Sequence, residues 1–159
     1  MGVFDASDIV QFAIRIEENG MSFYRYAVKI AKDEDTKKLF NHLAGEEERH
    51  KEFFEKLFAE MEKYTPPERY AGEYEEYLRG YVDNNVIFKK EVLEKELQQI
   101  RDTLAAIDFA IRREIDSIFY YSEIKKLVSP AQHGTLEKVI DEERTHFTTL
   151  SEVRKRFVG

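Results

Sequence analysis

Cysteine is absent from this chain of 159 residues, which rules out disulfides, thiolate-held zinc or iron–sulfur centres and cysteine nucleophiles within it. That absence fits a reducing cytoplasm, the compartment expected here. Tryptophan is absent too, and only 3 prolines and 7 glycines interrupt the sequence. So few breakers point to long helices rather than to many short strands joined by turns. No apolar run approaches the roughly 18 residues needed to cross a bilayer. The opening residues, Met1 to Asp8, have neither the basic region nor the apolar stretch of a secretory signal. No membrane partner is expected. Positive charge is also outnumbered: 25 Lys and Arg face 32 Asp and Glu, a formal net charge of −7, with a pI near 5.3. With no basic excess to displace counterions from a phosphate backbone, nucleic acid is not an expected partner either.

What is present is a large burial payload. Phe 12 and Tyr 9 stand in a chain that is 42% hydrophobic and 36% charged, too aromatic for a disordered segment. The length suits one domain, taken as residues 1–159. From Ile9 to Ala31 the apolar residues recur at steps of three and four (Ile9, Ala13, Ile16, Gly20, Tyr24, Ala27, Ala31), which predicts one long amphipathic helix capped by Asp5 or Ser7. Asp33 then caps a second helix with the face Leu39, Phe40, Leu43, Ala44, Phe54, Leu57, Phe58 and Met61, stopped by Pro66-Pro67.

A stretch of about 35 residues separates this first hairpin (about 5–64) from a second (about 102–157). It holds Tyr70, Tyr74, Tyr77 and Tyr81, the turn signal Asp83-Asn84-Asn85, and an amphipathic piece from Glu91 to Ile100. A third long helix is expected from about Asp102 to Val128. Ser129-Pro130-Ala131-Gln132 reads as the start of a fourth, with Ser as cap and Pro at the first helical position. The fold class expected is all-α: a four-helix bundle of two hairpins joined by a long crossover, at about 65–101.

The two hairpins repeat one another. Ala13-Ile14-Arg15-Ile16-Glu17, with Tyr24 seven residues after the Glu, corresponds to Ala110-Ile111-Arg112-Arg113-Glu114 with Tyr121, 97 residues on. Glu46-Glu47-Glu48-Arg49-His50 corresponds to Glu142-Glu143-Arg144-Thr145-His146, 96 residues on for the histidines. Glu17 is flanked at helical spacing by Ala13, Gly20, Met21 and Tyr24, and Glu114 by Ala110, Ile111, Ser117 and Ile118, which puts both on buried faces. Glu47 and His50 share a face with Leu43 and Phe54, and Glu143 and His146 share one with Val139 and Leu150, so each Glu-x-x-His aims both groups at one centre. The carboxylates lie 13 or 14 residues from their own hairpin turn, a rise of roughly 20 Å at about 1.5 Å per residue, which places them in one layer.

Four carboxylates buried without partners cost several kcal/mol each. Two divalent cations neutralise them, and a Glu from each of two helices with a Glu-x-x-His from each of the others is a known di-metal pattern. The candidate metal ligands are thus Glu17, Glu47, His50, Glu114, Glu143 and His146. Tyr24 and Tyr121 are candidates to hydrogen-bond a ligand carboxylate or supply an electron, or else are core tyrosines. Glu46 and Glu142 read as neighbours of the ligands or as surface. Glu18, His42 and His133 read as solvated.

On these motifs the chain resembles the ferritin-like di-iron carboxylate proteins of the rubrerythrin-related branch, over essentially its whole length. The resemblance implies two iron ions, with manganese or zinc as other occupants. It makes Glu47 and Glu143 bridging ligands and Glu17 and Glu114 terminal ones, with His50 and His146 each holding one ion. Rubrerythrins also carry a cysteine-bound iron domain, which this sequence does not contain, and an extra carboxylate one turn from the third-helix Glu. Here both neighbours on that face, Ile111 and Ser117, are neutral, so the six-ligand set is closer to the bacterioferritin-like pattern.

The function expected is reduction of dioxygen or hydrogen peroxide at the metal pair, with electrons from a separate donor protein, in a small homo-oligomer such as a dimer. The alternatives are a ferroxidase subunit of an iron-storage shell, or a metal-stabilised bundle without turnover.

Overall fold

In a computed structural model, residues 6–61, 80 and 90–159 are described. The expectations for Asp5, Pro66-Pro67, the crossover tyrosines and Asp83-Asn84-Asn85 fall outside those residues. The elements are α1 (Ala6–Ile30), α2 (Glu34–Met61), α3 (Lys90–Gln99), α4 (Thr103–Ile124) and α5 (His133–Val158), with short 3₁₀ turns at Lys125–Leu127 and Pro130–Gln132. Among the described residues there is no strand and no helix long and apolar enough to cross a membrane. The fold is the all-α four-helix bundle the periodicity predicts: α1 packs on α2, α4 on α5, and the two hairpins pack on each other.

The ends of the elements have local causes. Asp33 caps α2, its Oδ1 accepting from the Thr36 amide at 2.9 Å and the Thr36 hydroxyl at 2.8 Å. The amide bond, with help from the hydroxyl, holds the Asp33 carboxyl below its usual range. Asp102 caps α4 in the same way, accepting from the Ala105 amide at 2.8 Å. Ser7 lies inside α1, so it is not that helix's cap.

The second hairpin's turn differs from the expectation. The expected third long helix, α4, stops at Ile124, not Val128, and Ser129 makes no side-chain capping bond. Pro130 opens a 3₁₀ turn instead, closed by the Gln132 amide on Ser129 O at 2.8 Å, and α5 begins at His133. Leu127 and Val128 are buried within this connection. Their burial pulls the chain tight, and a 3₁₀ turn spans the gap in fewer residues than a full α turn.

The core is in two parts. One contains Val10, Ala13, Ile16, Phe54, Leu57, Tyr120, Tyr121, Ile124 and Leu136. The other contains Phe23, Tyr24, Ala27, Phe40, Leu43, Ala106, Ile107, Ala110 and Leu150. The turn of the first hairpin belongs to the second cluster, through Ala31, and the turn of the second hairpin to the first, through Leu127 and Val128. The turns are therefore at opposite ends of the bundle, and side chains 13 or 14 residues from either turn meet in the middle, between the two apolar clusters.

Candidate metal centre

That middle layer is where all six expected ligands lie. Glu17, Glu47, Glu114 and Glu143 are at most 1% exposed, His50 is 2% and His146 5% exposed. α1 and α4 each contribute one carboxylate, and α2 and α5 each a Glu-x-x-His pair, because i and i+3 project from the same helical face. The candidate ligand atoms form two groups, Glu17–Glu47–His50–Glu143 and Glu47–Glu114–Glu143–His146, with the atoms of each lying within 4.8 Å of one another. Glu47 and Glu143 belong to both groups.

Both imidazoles turn Nδ1 inward. His50 Nδ1 lies 3.0 Å from Glu143 Oε1 and 3.8 Å from Glu17 Oε2. His146 Nδ1 lies 3.1 Å from Glu143 Oε2 and 3.8 Å from Glu114 Oε2. The outer nitrogens face the neighbouring carboxylates: His50 Nε2 is 2.7 Å from Glu142 Oε2, and His146 Nε2 is 4.0 Å from Glu46 Oε2. Arg49 pairs with Glu46 and lies 4.0 Å from Glu142. Glu142 therefore fixes the orientation of the His50 ring, as partners behind metal-binding histidines do. Glu18, at 50% exposed, His42 and the partly exposed His133 play no part in this layer.

Tyr24 and Tyr121 are fully buried. Each crosses to the other hairpin: the Tyr24 hydroxyl donates to Glu114 Oε1 and the Tyr121 hydroxyl to Glu17 Oε1. Burial, and then the facing carboxylate, push both phenols well above their usual pKa, so both remain donors.

One residue of the layer was not anticipated. Arg113 is 2% exposed and lies among the carboxylates. Its Nη1 is 3.1 Å from Glu47 Oε1 and 3.8 Å from Glu114 Oε1, and its Nη2 donates to Ile16 O at 2.8 Å. The guanidinium carbon stands 5.7 Å from the centre of the Tyr24 ring. Burial opposes its charge, but Glu47 and Glu114 outweigh that and hold it more firmly protonated than usual. The sequence did carry a signal. Arg113 follows Ala106 by seven residues and Ala110 by three, and precedes Ser117 by four, all buried positions on one helical stripe. The centre is therefore not the symmetric arrangement the repeat suggests.

Without metal, protons balance the charge. Burial raises Glu17 well above its usual range, and the charges of Glu47 and Glu143 add to the effect. Burial, followed by the charges of Glu114 and Glu47, raises Glu143 to about 7. Burial opposes ionisation of Glu114 as well, but the neighbouring Glu143 and His146 and the Arg113 charge lower it to about 2. Burial alone would lower both histidines. Glu143, Glu47 and Glu142 instead lift His50 to about 9, and Glu114 and Glu143 lift His146 to about 11.

The donor set fits a pair of metal ions. Glu17 Oε2 and Glu114 Oε2 are buried with no hydrogen-bond partner. Each lies 3.8 Å from the Nδ1 of its histidine, too far for a hydrogen bond. Two ligands bound at about 2.1 Å to one ion are themselves about 3–4 Å apart. Oxygen and imidazole donors suit iron, manganese or zinc.

The rubrerythrin family model matches residues 8–153. Among solved structures, the chain is similar to a protein of Thermotoga maritima described as ferritin-like and diiron-carboxylate, with 28% identity and a TM-score of 0.68 over 98% of this chain and 97% of that one. No curated protein matches.

Proposed function

Because the chain belongs to the rubrerythrin family, we propose that Glu17, Glu47, His50, Glu114, Glu143 and His146 hold two iron ions, and that the centre reduces hydrogen peroxide or dioxygen with electrons from a separate donor protein. The observation that carries this reading is the pair of four-residue donor groups sharing Glu47 and Glu143 in one buried layer. When bound, an iron pair supplies the two electrons that convert peroxide, with two protons, into two molecules of water. The protein's part is to assemble the donors and keep them placed. Glu47 and Glu143 span the two positions, and Glu17 and Glu114 each close one. Tyr24 and Tyr121 hold those terminal carboxylates by one oxygen and leave the other free for metal. The clusters around Phe54 and Phe40 exclude bulk water from above and below. With no cysteine in the sequence, no iron–sulfur relay is available in this chain, so the electrons come from outside it.

The test is oxidation of the anaerobically Fe(II)-loaded protein by each oxidant in a stopped-flow instrument, followed by addition of a reductant. The reading expects ferric absorbance to form at two irons per chain and to cycle repeatedly while reductant lasts. No oxidation by either oxidant would rule out a catalytic role. Oxidation of many irons per chain, retained as a mineral in a large particle, would assign the protein to iron storage instead.

A further inference from the structure

Two of the positions at which the second hairpin departs from the first lie beside the centre. Aligned on Glu17 and Glu114, Arg113 stands where the first hairpin has Ile16, and Gly20 stands where the second has Ser117. In the structure these two departures form one device. The Arg113 guanidinium reaches from α4 to α1, bonds Ile16 O, and occupies the space that Gly20 leaves open, since a Cβ on residue 20 would overlap it. Gly20 is needed here for this close approach.

The charge so installed is not shared evenly. Arg113 forms its ion pairs with Glu47 and Glu114 and lies over the ring of Tyr24, the tyrosine that bonds Glu114. Glu47 belongs to both donor groups, whereas Glu114 belongs only to the group that contains His146. A metal ion in the His146 group would compete with the guanidinium for two carboxylates. An ion in the His50 group competes for one.

Building on the reading of these six residues as metal donors, we propose that Arg113 is a resident cation that makes the two metal positions unequal: the Glu17–Glu47–His50–Glu143 position fills first, and the Glu47–Glu114–Glu143–His146 position fills second and more weakly. A fixed unit charge paired with one more carboxylate of one group than of the other, at the effective dielectric of a protein interior, separates the two dissociation constants by about tenfold or more.

The experiment is a Mn(II) titration of the metal-free full chain, followed by calorimetry and by electron paramagnetic resonance. In the wild type the first equivalent should give the spectrum of an isolated Mn(II) ion, and the coupled-pair signal should grow only with the second, weaker equivalent. His146→Gln should keep the tight first step, and His50→Gln should lose it. Arg113→Met should bring the two constants together, to within about threefold. The wild type and the histidine variants decide the matter even if Arg113→Met does not fold. Coupled pairs from the first addition, a tight step lost in His146→Gln but kept in His50→Gln, or an unchanged ratio in Arg113→Met would overturn the proposal while leaving the donor reading intact. No binding to the wild type would overturn both.

Discussion

The hydroxyl of Tyr24, on α1, donates to the carboxylate of Glu114, on α4, 90 residues away. Tyr121 returns the arrangement to Glu17, so each hairpin holds a buried carboxylate of the other. This reciprocal bonding ties the carboxylate layer to the packing of the two hairpins. Tyr24→Phe and Tyr121→Phe should each weaken Fe(II) or Mn(II) binding by about tenfold to a hundredfold, the range found when a group behind a metal ligand is lost. Each should also lower apo stability by about 1–3 kcal/mol, because a buried carboxylate oxygen loses its donor. Metal titration and denaturant unfolding check the two effects. Phe variants that bind and unfold like the wild type would reduce the tyrosines to packing.

Stability of the metal-free protein should fall as pH rises. His50 moves from 6.5 to about 9 on folding, His146 from 6.5 to about 11, and Glu143 from 4.5 to about 7. The folded state thus holds more protons than the unfolded one from about pH 4.5 upward, and stability is lost as pH climbs through 7, 9 and 11. Glu114 acts in the opposite sense: lowered to about 2, it contributes above about pH 4.5 and is lost only as pH falls toward 2. Metal ions take the place of the bound protons, so the rise in Tm on adding Mn(II) should be small at pH 5 and grow towards pH 9. Thermal melts at fixed Mn(II) across that range test this. An increment that shrinks with pH would contradict the charge balance described for the layer.

Glu142 supports His50 from behind, at 2.7 Å from Nε2. Glu142→Gln keeps the shape but removes the charge. The His50 titration, followed by NMR in the metal-free protein, should move down from about 9, and metal affinity should drop by about tenfold or more. An unchanged His50 titration would mean that Glu143 and Glu47 alone set it.

Much of this site could be read from spacing. Glu17, Glu47, Glu114 and Glu143 sit at core positions of helical periods, and equal distance from two turns was enough to place them in one layer, even though those turns lie at opposite ends of the bundle. Arg113 escaped because a charged residue beside a ligand reads as solvent-facing until its own stripe of Ala106, Ala110 and Ser117 is followed. The partners of Tyr24 and Tyr121 escaped for a different reason. Seven residues from a Glu puts a tyrosine on the same face of its own helix, but which carboxylate its hydroxyl reaches depends on the register between hairpins, which no single helix encodes. The 3₁₀ start before α5 was hidden because Ser129-Pro130 suits an α or a 3₁₀ turn equally, and the buried connection through Leu127 and Val128 is a tertiary feature that the local motif does not encode.

The central claim is that six residues from four helices hold a metal pair, with Glu47 and Glu143 common to both ions. The most direct test is the metal content of anaerobically Fe(II)-loaded, desalted protein, measured by elemental analysis for the wild type and for the Glu47→Ala/Glu143→Ala double variant. The account predicts two irons per chain in the wild type and none retained in the double variant. Two irons retained by a folded double variant would contradict it.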